Sequence, residues 1–391
     1  MTVRFTALDV FRGGAVALMI LVNNPGSWNH LYPPLAHAPW HGCTPTDLVF
    51  PFFLFAVGNA LAFTMPALRE GPAAVFWAKA AKRTLLIFAI GLFLNLSPFV
   101  RWADDGELIR RSLDQLRLMG VLQRIALCWG AAAVLIWAAG ERGAVWATAV
   151  LLIGYWWACI VFAQGPDPYA IEAFFGTALD RAWLGAAHMY KGEGVPFDPE
   201  GLASTVPAIA QVLLGYLAGV TVRRAELDTT LVVQLFASAC AALALAYLWQ
   251  LSMPLNKKLW TSSYVLHTTG LALMLLALLI VAIDLRGEGA RRSVWVGFFE
   301  VFGKNALFVF VLSGFVPRVL ALLRWSDGVD GEGKPRWITP LPWIYRTVFE
   351  PMSMLAGGDL RLGSLLFAVA NLCVYWALAR GLDRRRIYIR V

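Results

Sequence analysis

The sequence predicts an all-α, polytopic membrane protein with about ten transmembrane helices. Of its 391 residues, 59% are hydrophobic and 15% are charged, and the mean hydropathy is +0.63. A soluble protein carries about 25% charged residues, and single cores stop growing near this length, so a larger interior cannot account for the missing charge. The 17 tryptophans fit this fold class, because their rings collect at membrane–water interfaces.

Runs of about 20 mostly apolar residues are long enough to cross the hydrocarbon core as helices. Ten such runs occur, at residues 8–27, 46–66, 82–98, 118–139, 144–164, 204–223, 230–251, 261–284, 295–323 and 361–381. A shorter run at 341–355 contains Pro342, Arg346, Glu350 and Pro351. Its interruptions favour a re-entrant or interfacial segment over an eleventh span.

The distribution of charge predicts the orientation of the chain. Basic residues such as Lys79, Arg142 and Arg223 stand in short loops, and three arginines at 384–386 stand near the end of the chain. Positive charge in short loops directs them to the cytoplasm, so both termini are expected there. The long segments 28–45, 99–117, 164–203 and 324–360 then lie outside, in the periplasm if the protein belongs to a bacterial inner membrane.

The net charge of +8 has an explanation that involves no nucleic acid. The cations lie between apolar runs, where they set topology and meet anionic lipid headgroups, and no nucleic-acid-binding motif accompanies them. Membrane lipids are therefore expected partners, and nucleic acid is not. The five cysteines include no CxxC pair, so we expect free thiols rather than a zinc site.

Residues 1–391 show no internal repeat and are interpreted as a single membrane domain. The segment 164–203 is long for a connector and rich in aromatic, histidine and acidic residues. We expect it to fold over the outer mouth of the helix bundle.

Ionisable residues inside spans are costly and tend to mark function. Asp9 and Arg12 are three residues apart in the first span, which favours a local ion pair. Arg124 and Lys304 also fall inside apolar runs. The three cations Arg12, Arg124 and Lys304 are expected either to pair with acids such as Asp9, Asp284 or Glu300, or to bind phosphate groups jointly.

The segment after the first span is the richest in chemistry. It holds His37, His41 and Asp47, and Thr44 or Thr46 can cap the helix that follows. Asp47 then either stabilises the first turn of that helix or assists a histidine. Pro39 interrupts a regular helix between the histidines and no third ligand is suitably spaced, so we predict no metal site. A histidine beside a carboxylate suits general base catalysis better.

Seven blocks of sequence, in order along nearly the whole chain, resemble a known family, heparan-α-glucosaminide N-acetyltransferase and its bacterial relatives. The blocks are LDVFRG at 8–13, LVNN at 21–24, HAPWHGCTPTDLVFP at 37–51, GVLQRI at 120–125, FDPEG at 197–201, NKKLWTSSY at 256–264 and GKNAL at 303–307.

The resemblance implies transmembrane acetylation, in which cytoplasmic acetyl-CoA supplies an acetyl group to the amine of glucosamine or a related amino sugar on the far side. It implies that His37 is the catalytic histidine, with Asn23 and Asp47 as its partners. On this basis we expect His37 to remove the amine proton, Asp47 to orient the imidazole and Asn23 to donate to the oxyanion. An acetyl-histidine intermediate is an alternative route.

Further roles follow from the same resemblance. Basic side chains, namely Arg12, Arg83, Arg124 and Lys304, are expected to bind the donor phosphates, the three arginines near the inner mouth. Residues expected to contact the acceptor are Trp40, His41, Asp198, Glu200, Trp260, Ser263 and Tyr264. The resemblance also implies a homodimer. The residues leave two other functions open: a transporter of an amino sugar or other small polar solute, and an O-acyltransferase of an envelope glycan.

Overall fold

The computed structural model describes residues 5–103, 106–329, 331 and 333–389, and within them helices dominate. The helices are α1 Thr6–Asn23, α2 Val49–Glu70, α3 Ala73–Leu96, α4 Val121–Val161, α5 Phe175–Leu184, α6 Leu202–Arg224, α7 Thr229–Trp249, α8 Ser262–Leu279, α9 Glu288–Arg291, α10 Val294–Lys304, α11 Ala306–Leu320, α12 Pro340–Ile344, α13 Glu350–Leu355 and α14 Leu360–Arg384. The prediction of an all-α, polytopic membrane protein is confirmed.

Two small antiparallel hairpins lie in segments that were predicted to be outside the membrane. The first joins β1 Val100–Trp102 to β2 Leu108–Arg110, and the second joins β3 Trp325–Val329 to β4 Pro335–Ile338.

Seven helical stretches among the described residues are long and apolar enough to cross a membrane, or eight if α10 and α11 form one bent span. Each of the ten predicted spans nevertheless corresponds to a helical stretch. α4 covers two of them, because its 41 residues are broken at Gly140, where a φ of 66° favours glycine. α3 is 24 residues long but carries three cations, Lys79, Lys82 and Arg83, so it falls outside the seven.

The segment predicted at 341–355 is helical but does not count among the spans. α12 continues through a wide π turn, Tyr345–Phe349, into α13, and this unit packs against α14. Its placement at an interface remains a prediction, as does the orientation of both termini.

α2 and α6 make the most extensive contact between two helices of the bundle, and glycines allow their backbones to approach closely. A Cβ atom on Gly58 would lie 2.0 Å from the Val212 carbonyl oxygen, and one on Gly215 would lie 2.2 Å from that of Phe55. Small residues at such crossings let helix backbones touch. The contact fixes the relation between the chain entering α2, which carries Asp47, and the turn at 197–201 that enters α6.

The segment 164–203 folds onto the bundle through its own apolar cluster. Phe174 and Phe197 are buried with Tyr155 of α4 and with Leu259 from the loop before α8. The Tyr155 hydroxyl donates to the Leu259 carbonyl at 2.6 Å. The segment thereby lies against residues 256–260, and the two stretches face one another across a cavity.

Candidate active site around His37

Two short 3-10 turns, Pro33–Leu35 and Pro45–Leu48, shape the segment that holds His37. Asp47 lies in the second turn, where its Oδ2 accepts the backbone N–H groups of Thr44 and Ala38, both at 3.0 Å. The contact with Thr44 is one half of a capping box. Asp47 therefore caps the helix entry, which was one of its two predicted roles.

The other oxygen of Asp47 faces His37, which is the contact that its second predicted role requires. Nδ1 of His37 lies 2.7 Å from Oδ1 of Asp47. The imidazole side chain is 43% exposed, whereas the Asp47 side chain is 1% exposed. A proton on Nδ1 donates to this carboxylate, which leaves Nε2 as the nitrogen that can accept a proton.

Lys257 approaches both members of this pair from the loop between α7 and α8. Its Nζ lies 3.0 Å from Nδ1 and 3.5 Å from Nε2 of His37, and 3.4 Å from Oδ1 of Asp47. Burial lowers the pKa of the Lys257 ammonium below its ordinary value, and the Asp47 carboxylate opposes this shift.

The loop that presents Lys257 is held by its own hydrogen bonds. Asn256 accepts the N–H of Leu259 at 2.9 Å, and its own N–H donates to Thr261 at 3.1 Å. Its side chain also contacts Nδ1 of His41 at 3.3 Å. The NKKLWTSSY block thus forms a tight turn that is tied to the segment carrying the histidines.

A cavity of about 250 Å³ opens beside His37. Its walls come from four separated stretches of chain and comprise His37, Ala38, Asp47, Arg117, Val121, Tyr190, Glu193, Pro199, Glu200, Lys257, Lys258 and Trp260. Charged side chains of opposite sign pair across it: Lys258 with Glu193 at 2.6 Å and Arg117 with Glu200 at 2.6 Å. The cavity is therefore polar, with its charges largely matched.

Arg117 ties the turn at 197–201 to the start of α4. Its guanidinium makes two bonds to Asp198, at 2.6 and 2.9 Å, and a further bond to Glu200. Burial alone would raise the pKa of Glu200, but the nearby cations Arg117, Arg124 and Lys257 together hold it below its ordinary value. Asp198 is thus committed to Arg117 behind the cavity, while the ionised Glu200 faces the cavity.

A larger cavity, of about 610 Å³, adjoins the first and shares Arg117 and Val121 with it. Amide and hydroxyl side chains line it, including Asn23, Asn95, Gln123 and Ser313. Gln123 is 1% exposed, and its Nε2 has no hydrogen-bond partner among the described residues. Asn23 therefore lines the neighbouring cavity and not the cavity of His37, so its role as a partner of His37 stays a prediction.

The four cations expected to bind donor phosphates do not form one group. Arg12 pairs with Asp9 at 3.3 Å and lies close enough to Arg83 to repel it. Lys304 is bound between Glu300 at 3.5 Å and Asp383 at 3.1 Å. The predicted ion pair in the first span is thus present, and Lys304 is largely neutralised.

Arg124 lies at the opposite end of the bundle from Arg12, near the cavity of His37. It is fully buried, and it donates to the Pro199 carbonyl at 2.7 Å and to the Ser204 hydroxyl. Its guanidinium also stacks 5.0 Å from the Trp260 ring centroid. The expectation that Arg124 stands with Arg12 and Arg83 at one mouth is therefore wrong, because the turn at 197–201 and Trp260 hold its guanidinium beside the cavity of His37.

The residues expected to contact an acceptor have different positions. Trp260 and Glu200 line the cavity. Trp40 donates to the Tyr169 carbonyl at 2.9 Å, and Ser263 donates to that of Met253 at 2.6 Å. Tyr264 is buried and supports Asp47 from behind. Trp40, His41, Ser263, Tyr264 and Asp198 thus surround the site without lining the cavity.

Sequence reasoning missed Lys257, Lys258, Arg117 and Glu193 as site residues. The two lysines belong to the NKKLWTSSY block, in a segment predicted to be a loop outside the cytoplasm. Because lysines are uncommon in loops on that side of the membrane, two in succession could have indicated a functional site. Arg117 and Glu193 carried no comparable signal.

Comparison with known proteins identifies the family of the chain. The family model described as "Heparan-alpha-glucosaminide N-acetyltransferase, catalytic" matches residues 4–255. The chain is 29% identical to heparan-alpha-glucosaminide N-acetyltransferase of Homo sapiens over 363 residues, covering 79% of this chain and 52% of the human protein. It is 28% identical to that of Mus musculus over 365 residues, covering 79% of this chain and 53% of the mouse protein.

The chain therefore spans about half the length of these curated relatives. The matched range includes the segment with His37 and Asp47, the start of α4 and the turn at 197–201. Because the family model matches more than half of the chain, the chain belongs to the family described as "Heparan-alpha-glucosaminide N-acetyltransferase, catalytic".

Proposed function

We propose that this chain transfers an acetyl group from acetyl-CoA to the amine of glucosamine or a related amino sugar, with His37 as the general base. The observation that carries the proposal is the pair of His37 and Asp47. A half-exposed imidazole is bound through Nδ1 to a buried carboxylate and opens into a cavity of about 250 Å³. Such a pair holds the imidazole in the tautomer that accepts a proton on Nε2.

The two adjoining cavities suit two substrates that meet at a shared wall. The larger cavity is lined by amides and hydroxyls, which complement the amide groups of a pantetheine arm. The unpartnered Nε2 of Gln123 is available to a carbonyl oxygen there. The smaller cavity, with Glu200, Glu193 and Lys258, offers both charges to a polar sugar.

The reaction follows from this placement. The neutral acceptor amine attacks the thioester carbonyl carbon, and the negative charge moves to the carbonyl oxygen. Nε2 of His37 takes the proton that the attacking nitrogen loses, and collapse of the intermediate expels the CoA thiolate. The imidazolium then returns its proton to that thiolate, while Asp47 stabilises the cation in the interval. In this proposal Asn23, which lines the larger cavity, donates to the carbonyl oxygen of the donor.

Arg12 and Arg83 remain the proposed contacts for the donor phosphates. They lie at the end of the bundle remote from His37, and Arg83 has a buried Nε without a partner among the described residues. Guanidinium groups suit phosphate oxygens through paired N–H donors. A cytoplasmic donor, a periplasmic acceptor, a bacterial inner membrane and a homodimer belong to the same proposal.

The test is transfer of radiolabelled acetyl groups from acetyl-CoA to glucosamine by purified protein. We expect wild-type transfer and a loss of at least about a hundredfold in His37→Ala. His30→Ala is the matched control, because His30 contacts Ser27 and lies outside both cavities. No transfer by wild type, or full transfer by His37→Ala, would contradict the proposal.

Two further arms separate the alternatives. A panel of acceptors with hydroxyl groups but no amine detects an O-acyltransferase. Uptake of labelled glucosamine into proteoliposomes without any CoA compound detects a transporter.

A further inference from the structure

We propose that Lys257 is a positioning residue that keeps His37 unprotonated, so that the imidazole acts as a base over a wider range of acidic pH. This inference rests on the proposed function of His37. Lys257 lies two residues beyond the range that the family model matches.

The geometry makes His37 and Lys257 compete for one carboxylate. Lys257 Nζ is 3.4 Å from Oδ1 of Asp47, and His37 Nδ1 is 2.7 Å from the same oxygen. Nζ also lies within 3.5 Å of both ring nitrogens. A second cation so close to an ammonium is unfavourable, and a single negative charge cannot neutralise both.

The other acids around the cavity already have cationic partners. Glu193 is bound to Lys258, and Glu200 is bound to Arg117, although Glu200 also attracts the Lys257 ammonium. Burial raises the pKa of the Cys43 thiol, which lies near Asp47, to about 12, so this group is neutral at physiological pH.

Asp47 alone would have the opposite effect on the imidazole. A carboxylate at hydrogen-bond distance favours the charged form of a histidine and raises its pKa. A base that is already protonated cannot take the amine proton, so Asp47 without a second cation would orient His37 and also inactivate it in mildly acidic medium. Lys257 offsets this effect while Asp47 retains its hold on Nδ1.

The sign of the expected change follows from this balance. Removal of the Lys257 charge leaves the Asp47 carboxylate, 2.7 Å from Nδ1, as the nearest charge to the imidazole, and a carboxylate favours the protonated ring. The acidic limb of the profile of kcat/KM against pH then moves to higher pH by about one unit or more. One unit below the wild-type midpoint, the variant is expected to lose about tenfold more activity than wild type does.

The experiment compares Lys257→Met, Lys257→Arg and Lys191→Met with wild type. Lys257→Arg retains the cation and is expected to restore the wild-type limb. Lys191→Met removes an exposed cation that lines neither cavity, and its limb is expected to stay at the wild-type pH. An unmoved limb in Lys257→Met, or an equal shift in Lys191→Met, overturns the proposal.

A second measurement does not depend on acetyl transfer. Diethyl pyrocarbonate modifies neutral imidazole, so peptide-resolved mass spectrometry of His37 modification against pH reports its protonation directly. We expect the midpoint for His37 to rise in Lys257→Met and that for His30 to stay constant. If wild type shows no transfer, the proposed function fails, while this midpoint still decides the role of Lys257. Lys257→Gln serves the same comparison if Lys257→Met does not purify as a monodisperse protein.

Discussion

The hydroxyl of Tyr264 donates to the backbone carbonyl of Asp47 across 2.5 Å, and both residues are almost completely buried. Tyr264 belongs to the first turn of α8, whereas Asp47 precedes α2. One hydrogen bond therefore holds the backbone of Asp47 against α8, through a residue that lies 217 positions further along the chain.

Tyr264→Phe is expected to weaken both stability and transfer. The substitution leaves the buried carbonyl of Asp47 without this partner, which costs about 1–3 kcal/mol. Thermal unfolding, monitored by size-exclusion chromatography, should show a lower midpoint temperature. The kcat for transfer should also fall, because the position of Asp47 is less well fixed. Tyr247→Phe, on an exposed side chain of α7, is the control and should leave both unchanged.

Asp47→Asn should preserve the fold of the segment but reduce kcat by about a hundredfold or more. The amide oxygen can still accept N–H groups, but it offers no negative charge to the imidazolium that forms during transfer. Steady-state kinetics should show little change in KM for acetyl-CoA, since we propose that the donor binds in the neighbouring cavity. A variant with normal kcat would mean that Asp47 acts only as a helix cap.

Arg124→Met is expected to reduce stability rather than donor affinity. This guanidinium is fully buried and donates to the Pro199 carbonyl in the turn at 197–201, so its loss removes that donor and should cost about 1–3 kcal/mol. The exposed pair of Arg224 and Glu141 provides a contrast, because Arg224→Met should cost less than about 1 kcal/mol. Normal stability with a raised KM for acetyl-CoA in Arg124→Met would instead favour a phosphate-binding role.

Gly215→Ala should separate α2 from α6 and lower activity without touching either cavity. A Cβ there would lie 2.2 Å from the Phe55 carbonyl oxygen, so one backbone must move. Because these helices position Asp47 and the turn at 197–201, we expect transfer to fall at least about tenfold. Gly154→Ala is the matched control, since no atom lies within 4 Å of the added carbon. Equal activities of the two variants would contradict this view of the helix pair.

The titration of Asp180 is expected to make the free energy of unfolding depend on pH. Burial raises its pKa to about 6, although its Oδ1 accepts the N–H of Leu202 at 3.0 Å. The folded chain therefore holds a proton that the unfolded chain has already released between about pH 4 and 6, so stability falls as pH rises through this window. Asp180→Asn, which does not titrate, should raise the thermal midpoint at pH 7 and flatten the profile between pH 4 and 7. A profile identical to wild type would contradict the assignment.

The sequence by itself determined the membrane class and the positions of the spans. Both depend on local quantities, the length and apolarity of each run, which a helix retains wherever it packs. The conformation of the block at 37–51 also depends on nearby residues, because Thr44 and Asp47 are three residues apart and form the capping box. The pairing of His37 with Asp47 lies within this one segment, and the sequence indicated it.

Only the tertiary structure decided which distant residues complete the site. Lys257 meets His37 from 220 residues away, and Arg117 meets Asp198 from 81 residues away. It also showed that Arg124 lies beside the cavity of His37 and apart from Arg12, and that Asn23 lines the neighbouring cavity. Such contacts depend on how helices cross and how loops fold over their ends, which apolar periodicity does not specify, because it records only that a face is buried and not against what.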